Sequence, residues 1–172
     1  MDTEERRKRI GGLIASSGLP ITGGELAARM GVTRQVVVQD VAVLRAGGMP
    51  ILATPSGYVF VDKPAAPRSV RVLSCRHVTL EDAEEELMII VRLGGTVRDV
   101  IVEHPVYGEL TGSLLLRTPE AVEALIEKLG RPNVKMLSAM TDGVHMHTIE
   151  APNERILDEI ERALFKAGIL IS

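Results

Sequence analysis

Two prolines within four residues, Pro64 and Pro67, limit the fold of this chain more than any other part of its sequence. Proline has no backbone N–H, and it disfavours helix in the residue before it, so a helix does not run through this segment. We therefore interpret residues 62–68 as a short, semi-rigid linker. It separates a predicted domain over residues 1–61 from a second predicted domain over residues 69–172.

The two predicted domains differ in charge. The whole chain has a net charge of −3, which on its own argues against binding to nucleic acid. Residues 1–61, however, carry 7 Lys and Arg against 5 Asp and Glu, whereas residues 62–172 carry 13 against 18. A slightly basic domain is thus joined to an acidic one, and we expect the two to meet different partners.

Composition places the chain among folded cytoplasmic proteins. Hydrophobic residues are 45% and charged residues 25% of the chain, as in ordinary globular proteins. The longest apolar runs, such as Leu87–Val91, are far shorter than the roughly 18 residues of a membrane span, and the N-terminus is charged. We therefore expect a cytoplasmic protein that binds no membrane. The single cysteine, Cys75, excludes an intramolecular disulfide and a cysteine-based zinc finger.

The first predicted domain has the pattern of a helix-turn-helix. Apolar residues at helical spacing predict a first helix over residues 4–16. Thr22, with Glu25 three positions later, forms a capping box that opens a second helix. Gly31 supplies the left-handed residue that a tight turn between helices requires, and a third helix is predicted over residues 33–47.

A predicted hairpin follows the third helix directly. Two β-rich runs, residues 51–54 and 58–61, flank a turn at residues 55–57. A helix-turn-helix with such a hairpin is a winged helix, whose third helix enters the major groove of DNA. The residues of this helix that we expect to contact bases or phosphates are Thr33, Arg34, Gln35 and Gln39. A phosphate contact is expected at Arg45, and Ser56 with Gly57 is the expected DNA-contacting tip of the wing.

Units of this kind also serve as dimerisation domains, and an excess of two positive charges is small for a DNA-binding domain. The basic run Arg6–Arg9 adds to the attraction for phosphates, and we favour DNA binding. Aromatic residues are only 2% of the chain, which disfavours base stacking on single strands. The segment Thr33–Val41 also resembles the recognition helix of the biotin-repressor-like winged helices. Double-stranded DNA is therefore the expected partner.

Strand and helix patterns alternate through the second predicted domain. Strands are predicted at residues 70–77, 97–102, 112–116 and 143–150. Helices are predicted at residues 79–93, 118–129 and 153–167, with a short apolar run at residues 169–171 at the end. This order favours a two-layer α+β domain with a mainly antiparallel sheet.

A single carboxylate lies on the apolar face of the first helix of this domain. Ala83, Glu86, Leu87 and Ile90 recur at the spacing of one helical face, and Glu86 is the only charged member. A buried carboxylate costs several kcal/mol unless it is paired or bound to a cation. We therefore expect a partner for Glu86, whereas its neighbour Glu85 is expected to face solvent.

Two histidines alternate with Met146 in a predicted strand. His145 and His147 therefore project to the same face, with Cβ atoms about 7 Å apart, close enough to bind one ion. The alternative is a pair of surface or hydrogen-bonded histidines. Because His77 ends another strand and Glu86 needs a partner, we favour a metal site. Three imidazoles and one carboxylate suit zinc, nickel, iron or manganese equally.

The fourth histidine, His104, stands before a proline at the end of a predicted strand, a position that is usually structural. It is close in sequence to Tyr107, one of the two tyrosines. A hydrogen-bond donor beside an aromatic face would suit a small aromatic carboxylate. His104 and Tyr107 are therefore the predicted residues for binding such a ligand.

Residues 69–172 resemble the 3H domain. The matching segments, each containing histidine, are residues 77–87, 102–109 and 143–152. Together with the winged helix, the whole chain is similar to the niacin-responsive transcriptional repressors of NAD biosynthesis and niacin uptake genes. The resemblance implies a homodimer that binds operator DNA and takes nicotinic acid as co-repressor. It also implies a divalent metal whose ligands are His77, Glu86, His145 and His147.

Two questions stay open. The gap between His77 and the next helix is one residue longer than the resemblance leads us to expect, which leaves Glu85 as an alternative to Glu86. The domain could instead be a hydrolase-like metalloenzyme, with Glu86 or Glu150 as general base on a metal-bound water, or it could sense another small carboxylate. The sequence contains no further nucleophile or Gly-rich phosphate loop, so we favour a regulator without enzymatic activity. A biotin-responsive regulator is disfavoured because the residues after the linker are too few for a ligase domain.

Overall fold

The computed structural model describes residues 2–61 and 68–171, which divide into two units between residues 63 and 64. Each unit is described by itself. Of the predicted linker, all but Arg68 lies outside the described residues. No helix in the described parts of the chain combines the length and the apolarity that a bilayer span requires.

Three helices and a two-stranded hairpin form the N-terminal unit. In chain order these are α1 (Thr3–Ser16), α2 (Gly23–Met30), α3 (Arg34–Ala46), β1 (Ile51–Thr54) and β2 (Gly57–Phe60). The capping box of Thr22 and Glu25 is formed, and Gly31 ends α2 with a left-handed φ of 66°. The hydroxyl of Thr33 caps α3. The predicted helix-turn-helix with its hairpin is therefore confirmed.

Aliphatic side chains from all three helices meet in the core of this unit. Its largest fully buried members are Ile10, Ile14, Leu26 and Val37. The hairpin joins this core, since Tyr58 of β2 packs against it and pairs with Ile21, just before α2. Gly57 permits this approach, because a Cβ at that position would lie 2.6 Å from the Ile21 backbone.

A buried ion pair ties α3 to α1. Asp40 of α3 is 1% exposed and accepts hydrogen bonds from Arg6 Nε at 2.6 Å and from Arg7 Nε at 2.9 Å. Burial acts to raise the pKa of the Asp40 carboxyl, but the two arginines outweigh it and lower the pKa below its ordinary value. Two cations of the basic run Arg6–Arg9 are thus engaged within the unit. Their attraction for DNA is correspondingly weaker than the sequence alone suggests.

A four-stranded sheet and three helices form the C-terminal unit. The strands are β3 (Ser69–Arg76), β4 (Thr96–His104), β5 (Gly108–Leu116) and β6 (Val144–Ala151). The helices are α4 (Leu80–Arg92), α5 (Pro119–Leu129) and α6 (Glu154–Lys166), with a short 3-10 helix (Leu137–Thr141) before β6. The strand order is β3-β6-β4-β5, and all three neighbouring pairs are antiparallel. The predicted α+β architecture with an antiparallel sheet is confirmed.

Side-chain caps explain where these helices begin. Thr79, Thr118 and Asn153 each accept a hydrogen bond from a backbone N–H in the first turn of α4, α5 and α6. Pro119 opens α5 at a position where no N–H is required. The core between the helices and the sheet is aliphatic, and its fully buried members include Ile90, Leu116, Ile149, Leu157, Ile160 and Leu164.

Three segments differ from the prediction. β4 and β5 are longer than expected because their pairing continues to the turn, where His104 lies opposite Gly108. The 3-10 helix has no sequence signal, since five residues are too few to show a helical period. The apolar run at residues 169–171 makes an isolated bridge between Leu170 and Cys75 instead of a full strand.

We predict that Asp40→Asn destabilises the N-terminal unit by about 2 kcal/mol at neutral pH, because hydrogen bonds to charged groups are lost. Glu4→Gln, at an exposed carboxylate of α1, is the control and should change the free energy of unfolding by less than about 0.5 kcal/mol. Urea unfolding is followed by tyrosine fluorescence in a Tyr107→Phe background. Tyr58 is then the one remaining tyrosine and reports on this unit.

The stabilisation by Asp40 should depend on pH. The pKa of Asp40 in the folded protein lies below its value of about 4 in the unfolded chain. The stabilisation by the ion pair is therefore complete above about pH 4, and it is lost as the pH falls from there through the lowered pKa. The difference in unfolding free energy between wild type and Asp40→Asn should therefore shrink in acid. A difference that stays constant down to about pH 2 would contradict the ion pair.

Candidate metal centre

Three elements of the C-terminal unit bring the four predicted metal ligands together. His145 and His147 lie on the buried face of β6, and His77 follows the end of β3. These strands are neighbours, with Cys75 opposite His145, so His77 lies near the start of β6. The inner face of α4 packs against the sheet and places the fully buried Glu86 among the three histidines.

The imidazole Nε2 atoms surround the Glu86 carboxylate. His77 Nε2 lies 2.6 Å and His145 Nε2 lies 3.1 Å from Glu86 Oε2. His147 Nε2 lies 3.5 Å from Glu86 Oε1. Ligand atoms of His77, Glu86 and His145 all lie within 4.8 Å of one another, a spacing that suits a single metal ion.

Backbone carbonyls fix the orientation of two of the histidines. His145 Nδ1 donates to the Gly143 carbonyl at 2.8 Å, and His147 Nδ1 donates to the Asp99 carbonyl at 2.6 Å. A carbonyl only accepts hydrogen bonds, so Nδ1 of each ring carries a proton. In the neutral rings, the Nε2 atoms that face Glu86 therefore present lone pairs, as metal-binding histidines do.

The electrostatics of the cluster require positive charge. Burial opposes ionisation of Glu86, but His147, His145 and His77 outweigh it and hold the pKa of Glu86 well below its ordinary value. Burial also opposes the charged form of His145, yet the Glu86 carboxylate raises the pKa of His145 above its ordinary value. Burial lowers the pKa of His147. An ionised carboxylate therefore faces imidazole nitrogens, which is favourable only with a proton or a metal ion between them.

Two buried polar atoms favour a metal ion. Within residues 2–61 and 68–171, neither Glu86 Oε1 nor His77 Nδ1 has a hydrogen-bond partner. An unpaired carboxylate oxygen is costly in a buried site unless a cation compensates it. The donor set of three nitrogens and one carboxylate fits a divalent transition metal, with zinc, nickel, iron and manganese as the candidates.

The neighbours of the cluster settle which carboxylate belongs to it. Glu85 is exposed on the outer side of α4, so the carboxylate among the histidines is that of Glu86. Cys75 is fully buried, and its thiol is close enough to Glu86 to feel the charge of that carboxylate. Burial, together with the Glu86 charge, raises the pKa of the Cys75 thiol. Cys75 therefore stays a neutral thiol beside the cluster, which agrees with its interpretation as a small buried residue.

Sequence reasoning does not find the residues that orient the histidines. Asp99 and Gly143 act through backbone carbonyls, which every residue has. Gly143 has a φ of 86°, and a Cβ at this position would overlap the His77 carbonyl. The one signal in the sequence is a glycine two residues before His145.

The predicted ligand residues His104 and Tyr107 lie at the end of β4 and in the turn to β5, and His104 lines an open groove that also includes His145. His104 Nδ1 accepts hydrogen bonds from the backbone N–H groups of Val106 at 3.2 Å and Tyr107 at 3.3 Å. The two rings are 5.0 Å apart, and Tyr107 is 74% exposed. The structure therefore gives His104 a role in holding the turn.

The outer face of α3 carries most of the predicted DNA contacts. Exposed on this helix are Arg34, Gln35, Gln39 and Arg45. Thr33 is also exposed, but its hydroxyl accepts the Val36 N–H in the helix cap. Val38, which sequence reasoning misses, lies between Gln35 and Gln39 and is 37% exposed. It adds an apolar side chain of the kind that contacts the methyl group of thymine.

The tip of the hairpin is half-buried. Thr54 Oγ1 donates to the Gly57 carbonyl at 2.8 Å and accepts the Ser56 N–H at 3.3 Å, which closes a tight turn. Gly57 also packs against the Ile21 backbone. The predicted wing residues Ser56 and Gly57 thus lie in a short turn, and α3 offers the larger exposed surface for DNA.

Comparisons with known proteins agree with this two-part organisation. Residues 70–172 match the 3H domain, and residues 6–59 match an HTH domain. The chain is 46% identical over 160 residues to the Transcription repressor NadR of Bacillus subtilis (strain 168), which covers 92% of this chain and 88% of that protein. It is 41% identical over 168 residues to the Probable transcription repressor NiaR of Thermotoga maritima, and this alignment covers 98% of this chain and 94% of that protein.

We predict that Glu86→Gln lowers the affinity of the chain for Ni²⁺ or Zn²⁺ by more than about 100-fold, because the negative charge of the cluster is lost. Glu85→Gln removes a carboxylate from the adjacent, exposed position and should leave the affinity unchanged. Isothermal titration and elemental analysis of the purified full chain measure both. Equal metal content in wild type and in the Glu86→Gln variant would rule out the site.

Proposed function

The chain belongs to the family that joins an HTH domain to a 3H domain and includes the repressors NadR and NiaR, and on this premise we propose that it is a DNA-binding transcription repressor. Its C-terminal unit senses nicotinic acid with the help of a divalent metal. Nicotinic acid acts as co-repressor for genes of NAD biosynthesis and niacin uptake. The protein works in the cytoplasm as a homodimer.

One observation carries this proposal: the similarity to the two named repressors spans both units of the chain. A likeness confined to the N-terminal unit would support DNA binding alone. A likeness confined to the C-terminal unit would say nothing of DNA. Because alignments of more than 40% overall identity span both units, a DNA-binding domain coupled to a sensor domain is the function that the comparisons support best.

DNA recognition is assigned to α3. Arginine donates two hydrogen bonds to guanine, and glutamine pairs in the same way with adenine, so Arg34 and Gln39 suit contacts to base edges. Arg45, near the other end of the helix, suits a phosphate contact, which positions the protein without reading sequence. In a dimer, two such helices reach half-sites about one helical turn apart on one operator.

The metal is assigned to His77, Glu86, His145 and His147. These residues would hold the ion from α4, from the start of β6 and from the segment after β3, and the ion would supply the positive charge that Glu86 requires. The Nδ1 hydrogen bonds of His145 and His147 keep both Nε2 atoms aimed at the same point. These residues therefore hold one local arrangement of the sheet and α4, which is what a sensor domain needs if a ligand is to select it.

We assign no enzymatic activity to the C-terminal unit. The metalloenzyme alternative requires Glu86 or Glu150 as a general base. Glu86 is held by the histidines, and Glu150 lies on the opposite face of β6, where it pairs with Arg98 at 3.5 Å. Neither carboxylate is free to act as a base at the cluster.

We predict that nicotinic acid increases the affinity for operator DNA about tenfold or more in the metal-loaded protein, since coupling free energies of 1–3 kcal/mol are typical. The operator is a genomic fragment recovered by repeated selection with the protein. Gel-shift titrations with and without nicotinic acid measure the effect, and nicotinamide serves as the control ligand. Glu86→Gln should still bind the operator but should lose the response. Unchanged operator affinity at saturating nicotinic acid would refute the co-repressor role.

We also predict that substitution of a base-contacting residue and of a phosphate-contacting residue on α3 affects DNA binding in different ways. Arg34→Ala should cost about 1–3 kcal/mol of operator binding and relax the sequence preference at one base pair. Arg45→Ala should weaken binding to all sequences alike and reduce the slope of log affinity against log salt by about 1. Fluorescence anisotropy at several salt concentrations measures both, with Arg155→Ala in the C-terminal unit as control. Loss of sequence preference in the Arg45→Ala variant would reverse these assignments.

A further inference from the structure

We propose that the C-terminal unit packs against a second copy of this chain through the outer face of its sheet, so that Arg76 of each copy faces Glu109 of the other. The outer face consists of the alternate strand residues that point away from the helices. This assignment rests on the proposed function of the chain as a homodimeric repressor, and it gives that dimer an interface.

The helices cover one face of the sheet. Leu73 and Cys75 of β3 and Ile149 of β6 point inward and share one core with α4, α5 and α6. The alternate residues of β3 point the other way, and Val70 and Val72 are 49% and 53% exposed. In the described residues 68–171, the helices therefore leave the outer face open to a partner.

The outer face is more apolar than a solvated sheet face is expected to be. Antiparallel strands with one face in water alternate inward apolar residues with outward polar ones. Val70 and Val72 on β3 and Val144 on β6 are outward and exposed, and Met146 is outward and half-buried. Ile101 on β4 pairs with Met146 at the centre of the sheet. An exposed apolar patch of this kind indicates an interaction surface.

The strand register places opposite charges at opposite edges of the outer face. Arg76 on β3 pairs with Val144 on β6. The register between β6 and β4 continues to Glu103, which lies beside Val144. Glu103 in turn pairs with Glu109 on β5. One row across the sheet therefore carries a cation on the β3 edge and two carboxylates at the β5 edge.

These charges are not compensated within the unit. Glu103 and Glu109 are exposed and lie directly opposite each other on neighbouring strands, an arrangement of like charges that is destabilising. Within residues 2–61 and 68–171, neither carboxylate has an ion-pair partner, and Arg76 has none either. The Arg76 Nε donates to the Asp142 carbonyl at 3.4 Å. A partner that brings a cation to one edge and a carboxylate to the other would compensate both.

A second copy of this chain is such a partner. A two-fold axis parallel to the strands exchanges the β3 and β5 edges and keeps each row at its own height, so the same patch serves both copies. Arg76 of one copy then faces Glu109 of the other at two symmetric places. In the next row, Met146 of one copy faces Ile101 of the other. Face-to-face sheets keep their strands within about 30° of each other, which preserves this match.

The outer face is large enough for a specific dimer. Strand β3 has 8 residues, and the sheet has four strands. At about 3.3 Å per residue and about 4.8 Å between strands, the sheet measures about 26 Å by about 19 Å. Two such faces bury about 1,000 Å² in total, which is the area that specific interfaces reach.

Strand β6 belongs to both the metal centre and the outer face. His145 and His147 point inward to Glu86, whereas Val144 and Met146 point outward. The metal ligands and the dimer contacts are therefore successive residues of one strand. Any shift of β6 at the metal centre moves the residues that meet the second copy.

The test measures the dissociation constant of the dimer by analytical ultracentrifugation of the metal-loaded full chain. Arg76→Glu and Glu109→Arg each place like charges across the interface, and each should weaken the dimer at least about tenfold. Both changes in one chain should restore it. An equimolar mixture of the two single variants should form a heterodimer, measured by native mass spectrometry. Within one copy the two positions are about 14 Å apart, so neither recovery arises inside a single chain.

Control variants separate this effect from a general change in charge. Glu123→Arg and Arg131→Glu make the same changes at exposed positions in and after α5, and they should leave the dissociation constant unchanged. Elemental analysis should give the wild-type metal content in all variants, including Arg76→Glu. Thr111→Arg provides an independent test on β5, because it places a cation in the row of Ile101 and should also weaken the dimer.

The outcomes separate this inference from the proposed function. Wild-type dimerisation in Arg76→Glu, Glu109→Arg and Thr111→Arg would overturn the outer face as the interface and leave the homodimeric repressor intact. A weakened dimer with no recovery in the double variant or in the mixture would overturn the facing of Arg76 and Glu109. Recovery in a chain that binds no operator would support the interface and refute the repressor. A wild-type chain that binds its operator and is monomeric at every concentration would refute both the interface and the homodimer.

Discussion

A negative charge in the middle of the C-terminal unit is the constraint on which its structure depends. Glu86 has no exposed surface. An isolated, ionised carboxylate in such a place would cost a free energy comparable to the whole free energy of unfolding of a small domain. Compensation comes from three imidazoles, two on β6 and one in the segment directly after β3. The strand order, which places β6 between β3 and β4, puts two of these imidazoles at the centre of the sheet under α4. The domain is therefore organised around an acid that needs a cation.

The parts of this arrangement that follow a regular period can be predicted from the sequence. A period of 3.6 places Glu86 on the apolar face of α4, and a period of 2 places His145 and His147 on one face of β6. Side-chain caps at Thr22, Thr33 and other helix starts are local signals, so the boundaries of most helices are also predictable. Which of Glu85 and Glu86 lies among the histidines depends on how α4 is rotated against the sheet, and the structure places Glu86 there.

Pairings between distant residues are what the sequence does not show. Arg6 meets Asp40 across 34 positions, which removes part of a basic run from the DNA-binding surface. His104 accepts hydrogen bonds from the backbone of its own turn, a local contact that the residue pattern does not show. A pocket that reaches Glu86 is lined by Leu87, Leu125 and Leu129, whose spacing is the same as that of core residues. Periodicity identifies a buried face, but it does not reveal whether the neighbouring elements fill the space in front of that face.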